Sequence, residues 1–396
     1  MRRTFDLYGL VLCAVALTGC GGGSDSGASS AVPSQGLEAR SSATDEPSPR
    51  AQSSLVAAEA HAAGTTKELG PVIRPLAKSP LAFARNAHFH VYAANGSRQR
   101  LHLDLGTKSY MVIDNLGRVT AGTFIEDAAE PGTYVFQSHR IGSLVNTARF
   151  RITADAVVGA FPFEKPWSDP LSHEVVPFIA ARAFVTDPAQ LDGAYNRFGI
   201  SRSSNGAADS QILALRISEG GTVLEMCFDS TIYAIDACPT VSKRTYAITP
   251  SPDSVWTATS TAPADLLQFR MARIGGANVW LSGGYTDAAP NIHVFRVGLR
   301  ETSDWPETAY IGASTESSWG TNLFSAANSV RTAVAPEGGS ADATLSFASI
   351  AGPQGIRSLN PAGPRKYFAM QNGVLSVVVG TRNLNTAGYF QLNLVK

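Results

Sequence analysis

Four cysteines are the residues of this sequence best suited to covalent chemistry. Cys20 is considered first, because of the residues that precede it. Two arginines follow the first residue, and an apolar run of about 11 residues occupies 7–17. This run matches the hydrophobic region of a secretion signal and is too short for a membrane-spanning helix, which needs about 20 residues. The small residues Thr18 and Gly19 separate it from Cys20. The sequence therefore predicts export, with residues 1–19 as the signal peptide.

The tetrapeptide at 17–20, Leu-Thr-Gly-Cys, resembles the lipobox of bacterial lipoproteins. The resemblance implies cleavage before Cys20, a diacylglycerol on its sulfur and a further acyl chain, such as palmitate, on its amine. Each buried methylene contributes roughly 0.8 kcal/mol, so more than one chain makes a permanent membrane anchor. In this family the next residue directs sorting, and Gly21 in place of aspartate implies the outer membrane. We expect an outer-membrane lipoprotein, with the periplasmic and surface faces both left open.

Cys227 and Cys238 are the pair that remains after Cys13 leaves with the signal peptide and Cys20 is acylated. An even pair in an oxidising compartment favours a disulfide. The bond would close a loop of about 12 residues and contribute about 3 kcal/mol to stability in the chain-entropy model. We predict this disulfide at a hairpin or at a long hairpin tip.

Three histidines, His88, His90 and His102, are the candidates for metal binding. His88 and His90 are two residues apart and share one face of a strand, and His102 lies in the next strand-like run. Three imidazoles could bind zinc or copper. The alternative is a solvent-facing polar row on a half-buried strand, and we favour that alternative, with no metal or other cofactor.

Catalytic motifs give no support for an enzyme. The sequence has no Gly-x-Ser-x-Gly elbow, phosphate loop, dinucleotide fingerprint or haem motif. Carboxylates such as Glu219 and Asp236 are scattered, and their spacing selects no pair of the kind that cleaves glycosides. We therefore predict that the protein is not an enzyme.

Trp305 and Trp319 are the candidates for ligand binding. Both stand in loop-like segments with Ser, Thr and Asn. Tryptophan beside hydroxyl and amide groups suits contact with a sugar or peptide, because a rigid ring buries much area at low entropic cost. The alternative is that these rings close the ends of a barrel or sandwich core.

Residues 20–80 form the predicted lipidated start and tether. The segment is rich in Gly, Ser, Ala and Pro and has no apolar periodicity. It cannot bury enough apolar surface to offset its ordering entropy, so we expect disorder. About 60 flexible residues reach on the order of 40–45 Å. Formal net charge is zero, which argues against a nucleic-acid partner.

The body of the chain shows short alternating strands separated by turn residues, which predicts an all-β antiparallel barrel or sandwich. We expect two β domains, an N-terminal region at 81–176 and a C-terminal region at 177–396 that is barrel-like. Residues 321–330 are the best helix candidate. The stretches 150–161 and 367–380 echo each other as strand, turn and Val-rich strand, which is typical of hairpins.

The stretch 190–202 adds a second resemblance. Gly193, one residue and then Tyr195 resemble the Gly-x-aromatic entry of lipocalin-like (calycin) barrels, in which the ring closes one end. That family has tryptophan where this chain has Tyr195. About eight strand candidates follow up to residue 300, the number that such a barrel needs.

Taken together, these observations predict a non-enzymatic outer-membrane lipoprotein that displays a β-rich binding or envelope-interaction module. It would meet the membrane through its lipid anchor and the cell wall or an envelope protein through its body. Two alternatives stay open: a calycin-like carrier of a small apolar ligand, and a hydrolase of cell wall or glycan.

Overall fold

A computed structural model describes residues 86–140, 147–166, 172–285, 291–360, 365–381 and 387–396. These residues form three closed antiparallel barrels of eight strands each, one after another along the chain. The predicted all-β barrel fold is confirmed. The predicted signal peptide, Cys20 and the tether at 20–80 lie outside the described residues.

Barrel 1 comprises the first eight strands, each paired with the next, and the eighth pairs with the first. Its inward positions carry aromatic side chains, and the ring centroids of Tyr110, Phe136 and Phe161 lie 5.0 to 5.7 Å apart. Eight strands enclose a space just wide enough for such side chains. The strands are β1 (Asn86–Ala93), β2 (Arg98–Asp104), β3 (Ser109–Ile113), β4 (Val119–Glu126), β5 (Thr133–Gln137), β6 (Arg149–Ile152), β7 (Ala156–Glu164) and β8 (His173–Ala181).

Barrel 2 has the same up-and-down order and begins after a short 3-10 helix at Pro188–Leu191. Phe269 and Trp280 stack inside it with ring centroids 3.6 Å apart. Its strands are β9 (Gly193–Ser203), β10 (Ala208–Ser218), β11 (Val223–Cys227), β12 (Lys243–Ser251), β13 (Val255–Thr261), β14 (Ala264–Ile274), β15 (Ala277–Tyr285) and β16 (Ile292–Arg300). Further 3-10 turns occupy Ile235–Ala237, Thr240–Ser242 and Pro252–Ser254.

Barrel 3 completes the chain with eight further strands, again closed by pairing of the last with the first. The strands are β17 (Thr308–Ser314), β18 (Trp319–Phe324), β19 (Asn328–Val334), β20 (Ser340–Ser349), β21 (Arg357–Asn360), β22 (Tyr367–Gln371), β23 (Leu375–Gly380) and β24 (Tyr389–Val395). Its interior combines buried Asn, Gln and Ser side chains, described below, with an apolar cluster that includes Phe324, Leu359 and Val378.

The first hairpin has the same geometry in all three barrels. In each, a residue at the end of the first strand accepts a hydrogen bond at its carbonyl from the residue three positions later: Gly96, Gly206 or Ser317. These residues have φ of 82°, 84° and 56°, the left-handed region that favours glycine. The hairpins at 150–161 and 367–380 also match, because each joins the sixth and seventh strands of its barrel. The chain is thus built from three copies of one barrel plan.

The three barrels pack against one another through their outer faces. Phe390 on the outside of barrel 3 contacts Phe295 on the outside of barrel 2, with ring centroids 5.1 Å apart. Barrel 1 adds Ile179, which is fully buried in the same core. This shared core explains why many outward strand positions are apolar. For the same reason, the apolar face of a strand in this protein does not always point into its own barrel.

Polar contacts join the same outer faces. The Arg202 guanidinium of barrel 2 lies 2.8 Å from the Glu174 carboxylate of barrel 1. The ammonium of Lys396 in barrel 3 lies 2.8 Å from the Glu130 carboxylate of barrel 1. Each barrel therefore contacts the other two.

Two expectations from the sequence differ from this architecture. We expected two β regions with a boundary between residues 176 and 177, but that point lies inside β8, and there are three barrels. Residues 163–164 end β7, and residues 173–177 begin β8 of the same barrel. The helix expected at 321–330 is instead the hairpin of β18 and β19. Its apolar residues lie on both faces of these two strands. Pairing with neighbouring strands overrides the weak helical pattern of the sequence.

Candidate functional site

The inner face of β24 shows why barrel 3 has a polar interior. Its residues alternate, with Phe390, Leu392 and Leu394 in the core shared with the other barrels. The alternate positions, Tyr389, Gln391 and Asn393, are therefore inside barrel 3, where all three side chains are buried. Burial raises the pKa of Tyr389, so its phenol stays protonated and can donate a hydrogen bond.

A ladder of hydrogen bonds runs along this inner face. The Tyr389 hydroxyl donates to Gln391 Oε1 at 2.6 Å. Gln391 Nε2 donates to Asn393 Oδ1 at 2.8 Å, and Asn393 Nδ2 donates to Ser376 Oγ at 2.9 Å. Buried polar groups cost stability unless they are paired. The ladder therefore gives the buried amides of Gln391 and Asn393 hydrogen-bond partners and fixes their orientation.

Arg331 and Asn322 face the same interior from β19 and β18, where they are directly opposite in register. Arg331 is 7% exposed and Asn322 is 1% exposed. Arg331 Nη2 donates to Ser318 Oγ at 2.9 Å. Arg331 Nη1 and Asn322 Nδ2 are both buried and have no hydrogen-bond partner among the described residues. Two adjacent donors thus point into the barrel without an acceptor, a costly arrangement for buried groups.

An ion pair lies at the end of barrel 3 formed by the turn at 314–318, here called the hairpin end. Arg365 Nη1 lies 2.8 Å from Glu316 Oε1 and donates to the Tyr367 hydroxyl at 3.0 Å. Its guanidinium carbon is 5.6 Å from the centroids of the Tyr367 and Tyr389 rings. The two charges of this pair offset each other beside the polar interior.

The opposite end of barrel 3 is closed by aromatic rings. Trp305 is half-buried, stacks on Phe324 at 5.6 Å and donates from Nε1 to the Ser325 carbonyl at 2.9 Å. The Arg357 guanidinium lies over the Trp305 ring at 4.2 Å. Burial raises the pKa of Tyr310 in this layer to about 12. The described contacts of Trp305 are therefore those of a ring that closes the barrel.

Trp319, the other tryptophan predicted to contact a ligand, is 1% exposed. Its side chain packs between barrels 1 and 3, in a cluster with Ala160 and Val175 of barrel 1. The structure does not bring Trp305 and Trp319 together. Trp319 lies on the outer face of barrel 3, where barrel 1 covers it. The Ser, Thr and Asn residues around it in the sequence suggested an exposed loop instead.

The three histidines share the outer face of β1 and β2, as their spacing predicts. His88 and His102 are directly opposite in register, with ring centroids 4.2 Å apart, whereas His90 contacts Phe184 of the next segment. Burial lowers the pKa of His90 and of His102 to about 4. Within the described ranges, no three His, Cys, Asp or Glu side chains are grouped so that they could hold a metal ion.

The predicted disulfide between Cys227 and Cys238 is confirmed. Their Cα atoms are 5.8 Å apart, within the range for a disulfide. Cys227 ends β11 and Cys238 follows the 3-10 turn at Ile235–Ala237, so the bond fastens the long connection between β11 and β12. Its role is structural, because it packs with buried Ala214 on the outside of barrel 2.

Barrel 2 contains the residues of the second resemblance. Strands β9 to β16 close a barrel over 193–300, as the strand count predicted. Gly193 has φ of 152°, and Tyr195 is fully buried, with its hydroxyl donating to the Leu191 carbonyl at 2.8 Å. The Tyr195 ring thus closes this end of barrel 2. Membership in the calycin family stays a prediction.

Arg296 inside barrel 2 provides a contrast with Arg331. Its Nη1 donates to the carbonyls of Ile200 at 2.5 Å and Phe295 at 2.8 Å, and its Nη2 donates to Ser201 Oγ at 2.8 Å. The backbone therefore satisfies this buried guanidinium. Arg331 instead donates to a side chain, Ser318 Oγ, and its Nη1 has no hydrogen-bond partner among the described residues.

The polar residues of barrel 3 were missed by the sequence reasoning. The signal was present in Tyr-Phe-Gln-Leu-Asn-Leu-Val at 389–395, which alternates strictly. Alternation assigns residues to two faces but does not say which face is inside.

No family model and no curated protein sequence matches this chain. None of the described helices is both long enough and apolar enough to span a membrane.

Proposed function

We propose that this protein is a lipid-anchored outer-membrane protein whose three packed barrels act as a binding module, without catalysis. The observation that carries the binding role is the interior of barrel 3, where Arg331 Nη1 and Asn322 Nδ2 are buried without acceptors among the described residues. Concave sites with a few well-placed polar groups on a rigid scaffold are typical of ligand binding. An eight-stranded barrel is either filled by its own side chains or holds one small ligand.

The types of side chain in barrel 3 suit binding better than catalysis. Amides, hydroxyls and guanidinium groups line part of it, and its phenols remain protonated because burial raises the pKa values of Tyr310 and Tyr389. General acid–base catalysis needs a group whose pKa lies near the working pH. The described histidines lie outside barrel 3, on barrels 1 and 2.

The side chains within the other two barrels favour a polar ligand in barrel 3 over an apolar ligand in barrel 2. Barrel 1 is filled by rings such as Phe136 and Phe150, with centroids 4.5 Å apart. The stacked Phe269 and Trp280 occupy the corresponding space of barrel 2. An apolar guest in either would have to displace well-packed aromatic contacts, which costs stability.

The anchor in this proposal rests on the sequence around Cys20, and a labelling experiment tests it. Cells expressing the wild-type chain and the Cys20→Ser variant are fed an alkyne analogue of palmitate and then separated into inner and outer membranes. We expect label and outer-membrane recovery for the wild type only. Label on the Cys20→Ser variant, or wild-type protein recovered without lipid, would contradict the anchor.

The binding role is tested with the lipidated protein purified in detergent and immobilised. Extracts of cell wall, envelope protein and envelope small molecules are passed over it in turn, and retained material is identified by mass spectrometry. We expect saturable retention of at least one component. Absence of retention by a folded protein would contradict the binding role.

A further inference from the structure

His293 lies at the junction between barrels 1 and 2. It is on the same face of β16 as Phe295, outside barrel 2, and it is 4% exposed. Gly96 in the first hairpin of barrel 1 packs against it, and a Cβ added to Gly96 would lie only 2.8 Å from the Cβ of His293. The two barrels are therefore in direct contact at His293, with no space for another carbon atom between them.

Groups from β2, β8, β9 and β15 surround this contact. Arg202 is the register partner of His293 on β9 and forms the ion pair with Glu174 of barrel 1. The ring of Tyr285 on β15 lies 5.6 Å from the His293 ring, centroid to centroid, and the stem of Arg98 on β2 packs near the same strand. Burial lowers the pKa of His293 to about 4, because a charged imidazole loses its hydration at this position.

A second histidine, His90 on β1, lies at the same junction. Its ring contacts Phe184, in the segment that connects barrels 1 and 2, with 5.3 Å between centroids. The guanidinium of Arg270 on β14 lies 5.7 Å from the centroid of the same Phe184 ring. Arg270 also donates from Nη1 to the hydroxyl of Tyr92 in barrel 1 at 2.9 Å. Arg270 thus joins the two barrels close to His90.

The surroundings of His90 oppose its protonation. Burial has the largest effect on its pKa, and the positive charges of Arg270 and Arg100 act in the same direction. The nearby carboxylate of Asp253 acts in the opposite direction, and the pKa of His90 is lowered to about 4. A proton on His90 would repel Arg270, which holds Tyr92 across the junction. Both histidines are therefore compatible with the closed junction mainly in their neutral form.

Barrel 3 contributes no histidine to the assembly, because residues 301–396 contain none. Its contact with barrel 2 includes the ring pair of Phe390 and Phe295, and its contact with barrel 1 includes the cluster around Trp319. Protonation of histidine therefore acts on the faces that barrels 1 and 2 present to each other, and it leaves the side chains of barrel 3 unchanged.

We propose that the junction between barrels 1 and 2 is an acid-sensitive contact, which protonation of His293 opens while each barrel stays folded. His90 acts in the same direction. The contacts that both barrels make with barrel 3 keep the three together when this junction opens. Opening exposes Tyr92 and the apolar surface around it, which are buried in the closed protein. The chain would thus present a surface in mild acid that it hides at neutral pH, whether or not a barrel holds a ligand.

The size of the effect follows from the two protonation equilibria of His293. Its pKa is about 4 in the closed junction, and an exposed histidine has an ordinary pKa of about 6.5. The closed junction is therefore fully favoured above pH 6.5 and loses stability as the pH falls towards 4. From these two values, the ratio of open to closed junction rises by about 30-fold between pH 7.5 and pH 5.

The test is hydrogen–deuterium exchange of the lipidated full chain in detergent at pH 7.5 and pH 5, read by mass spectrometry. Labelling times are scaled for the pH dependence of the intrinsic exchange rate. We expect protection in the hairpin at 92–98 to fall by about 30-fold or more at pH 5, because amides there exchange when the junction opens. Protection in β23 and β24 of barrel 3 should change by less than threefold.

Two variants assign the effect to histidine. The double variant His90→Gln with His293→Gln keeps polar side chains of similar size that do not titrate, so its protection at 92–98 should differ by less than twofold between the two pH values. The matched control is His139→Gln, which removes an exposed histidine of barrel 1 and should respond to pH like the wild type. All three proteins keep the same carboxylates, so an effect that arises from carboxylates would persist in the double variant.

The proposal is overturned if wild-type protection at 92–98 changes by less than threefold, or if the double variant responds to pH like the wild type. An equal loss of protection in barrel 3 would also overturn it, since that result shows unfolding of the whole protein in place of an opening between two barrels. This comparison within the wild type decides the matter even where the double variant does not fold. The outcome is separate from the retention experiments that test the binding role.

Discussion

The junction between barrels gives the most quantitative prediction. Phe390 lies on the outside of barrel 3, yet its side chain is completely buried and its ring contacts that of Phe295 edge-to-face at 5.1 Å. Replacing a buried Phe with Ala costs about 3–5 kcal/mol through lost transfer free energy and the cavity left behind. Because an aromatic contact across barrels is lost as well, we expect Phe390→Ala to fall in the upper half of this range.

A matched control separates burial from position on a barrel. Ile125 is also an outward apolar residue of a barrel strand, but it is 52% exposed on barrel 1. We expect Ile125→Ala to cost less than about 1 kcal/mol, as surface substitutions usually do. The assay is urea unfolding followed by tryptophan fluorescence, with the midpoint compared at unchanged slope. Equal midpoints for the two variants would refute the shared core between barrels.

Three further predictions concern single bonds and pH. Cys227→Ser with Cys238→Ser should lower the free energy of unfolding by about 3 kcal/mol, because the open loop of about 12 residues gains conformational entropy when unfolded; a urea midpoint equal to that of the oxidised wild type would contradict this. Tyr195→Phe should cost about 1 kcal/mol by removing the buried hydrogen bond to the Leu191 carbonyl, and a melting temperature unchanged from the wild type would count against that bond. Burial lowers the pKa of three histidines to about 4: His90, His102 and His293. The unfolded chain therefore binds protons that the folded chain does not as pH falls from about 6.5 to 4. The urea midpoint should accordingly decrease across that interval, and a flat profile would show that these side chains are not buried in solution.

The barrel fold could be predicted from sequence because its signals are local. Apolar and polar residues alternate along each strand, and polar residues mark the turns, so both signals can be seen in neighbouring residues. The hairpin at 367–380 is an example. Gly193 and Tyr195 were found for the same reason, since the turn and the ring that closes barrel 2 are adjacent in the chain. The disulfide was predictable from two cysteines about a dozen residues apart in a chain whose N-terminal sequence predicts export.

The number of barrels and the candidate site could not be predicted in this way, because both depend on contacts between distant segments. Closure of barrel 1 pairs β1 with β8, and closure of barrel 3 pairs β17 with β24. The alternation at 389–395 allowed either face to be inside. Only the packing of Phe390 and its outward neighbours against barrel 2 turns the Tyr, Gln and Asn side chains inward.

The most direct test of the central claim is native mass spectrometry of the full chain purified from cells, with chemical extraction of any bound molecule, beside retention from cell-wall, envelope-protein and small-molecule extracts. We predict at least one specific component that co-purifies with the wild-type chain or is retained by it in a saturable way. A bare, folded wild-type chain that also retains nothing from these extracts would contradict the claim that the barrels form a binding module.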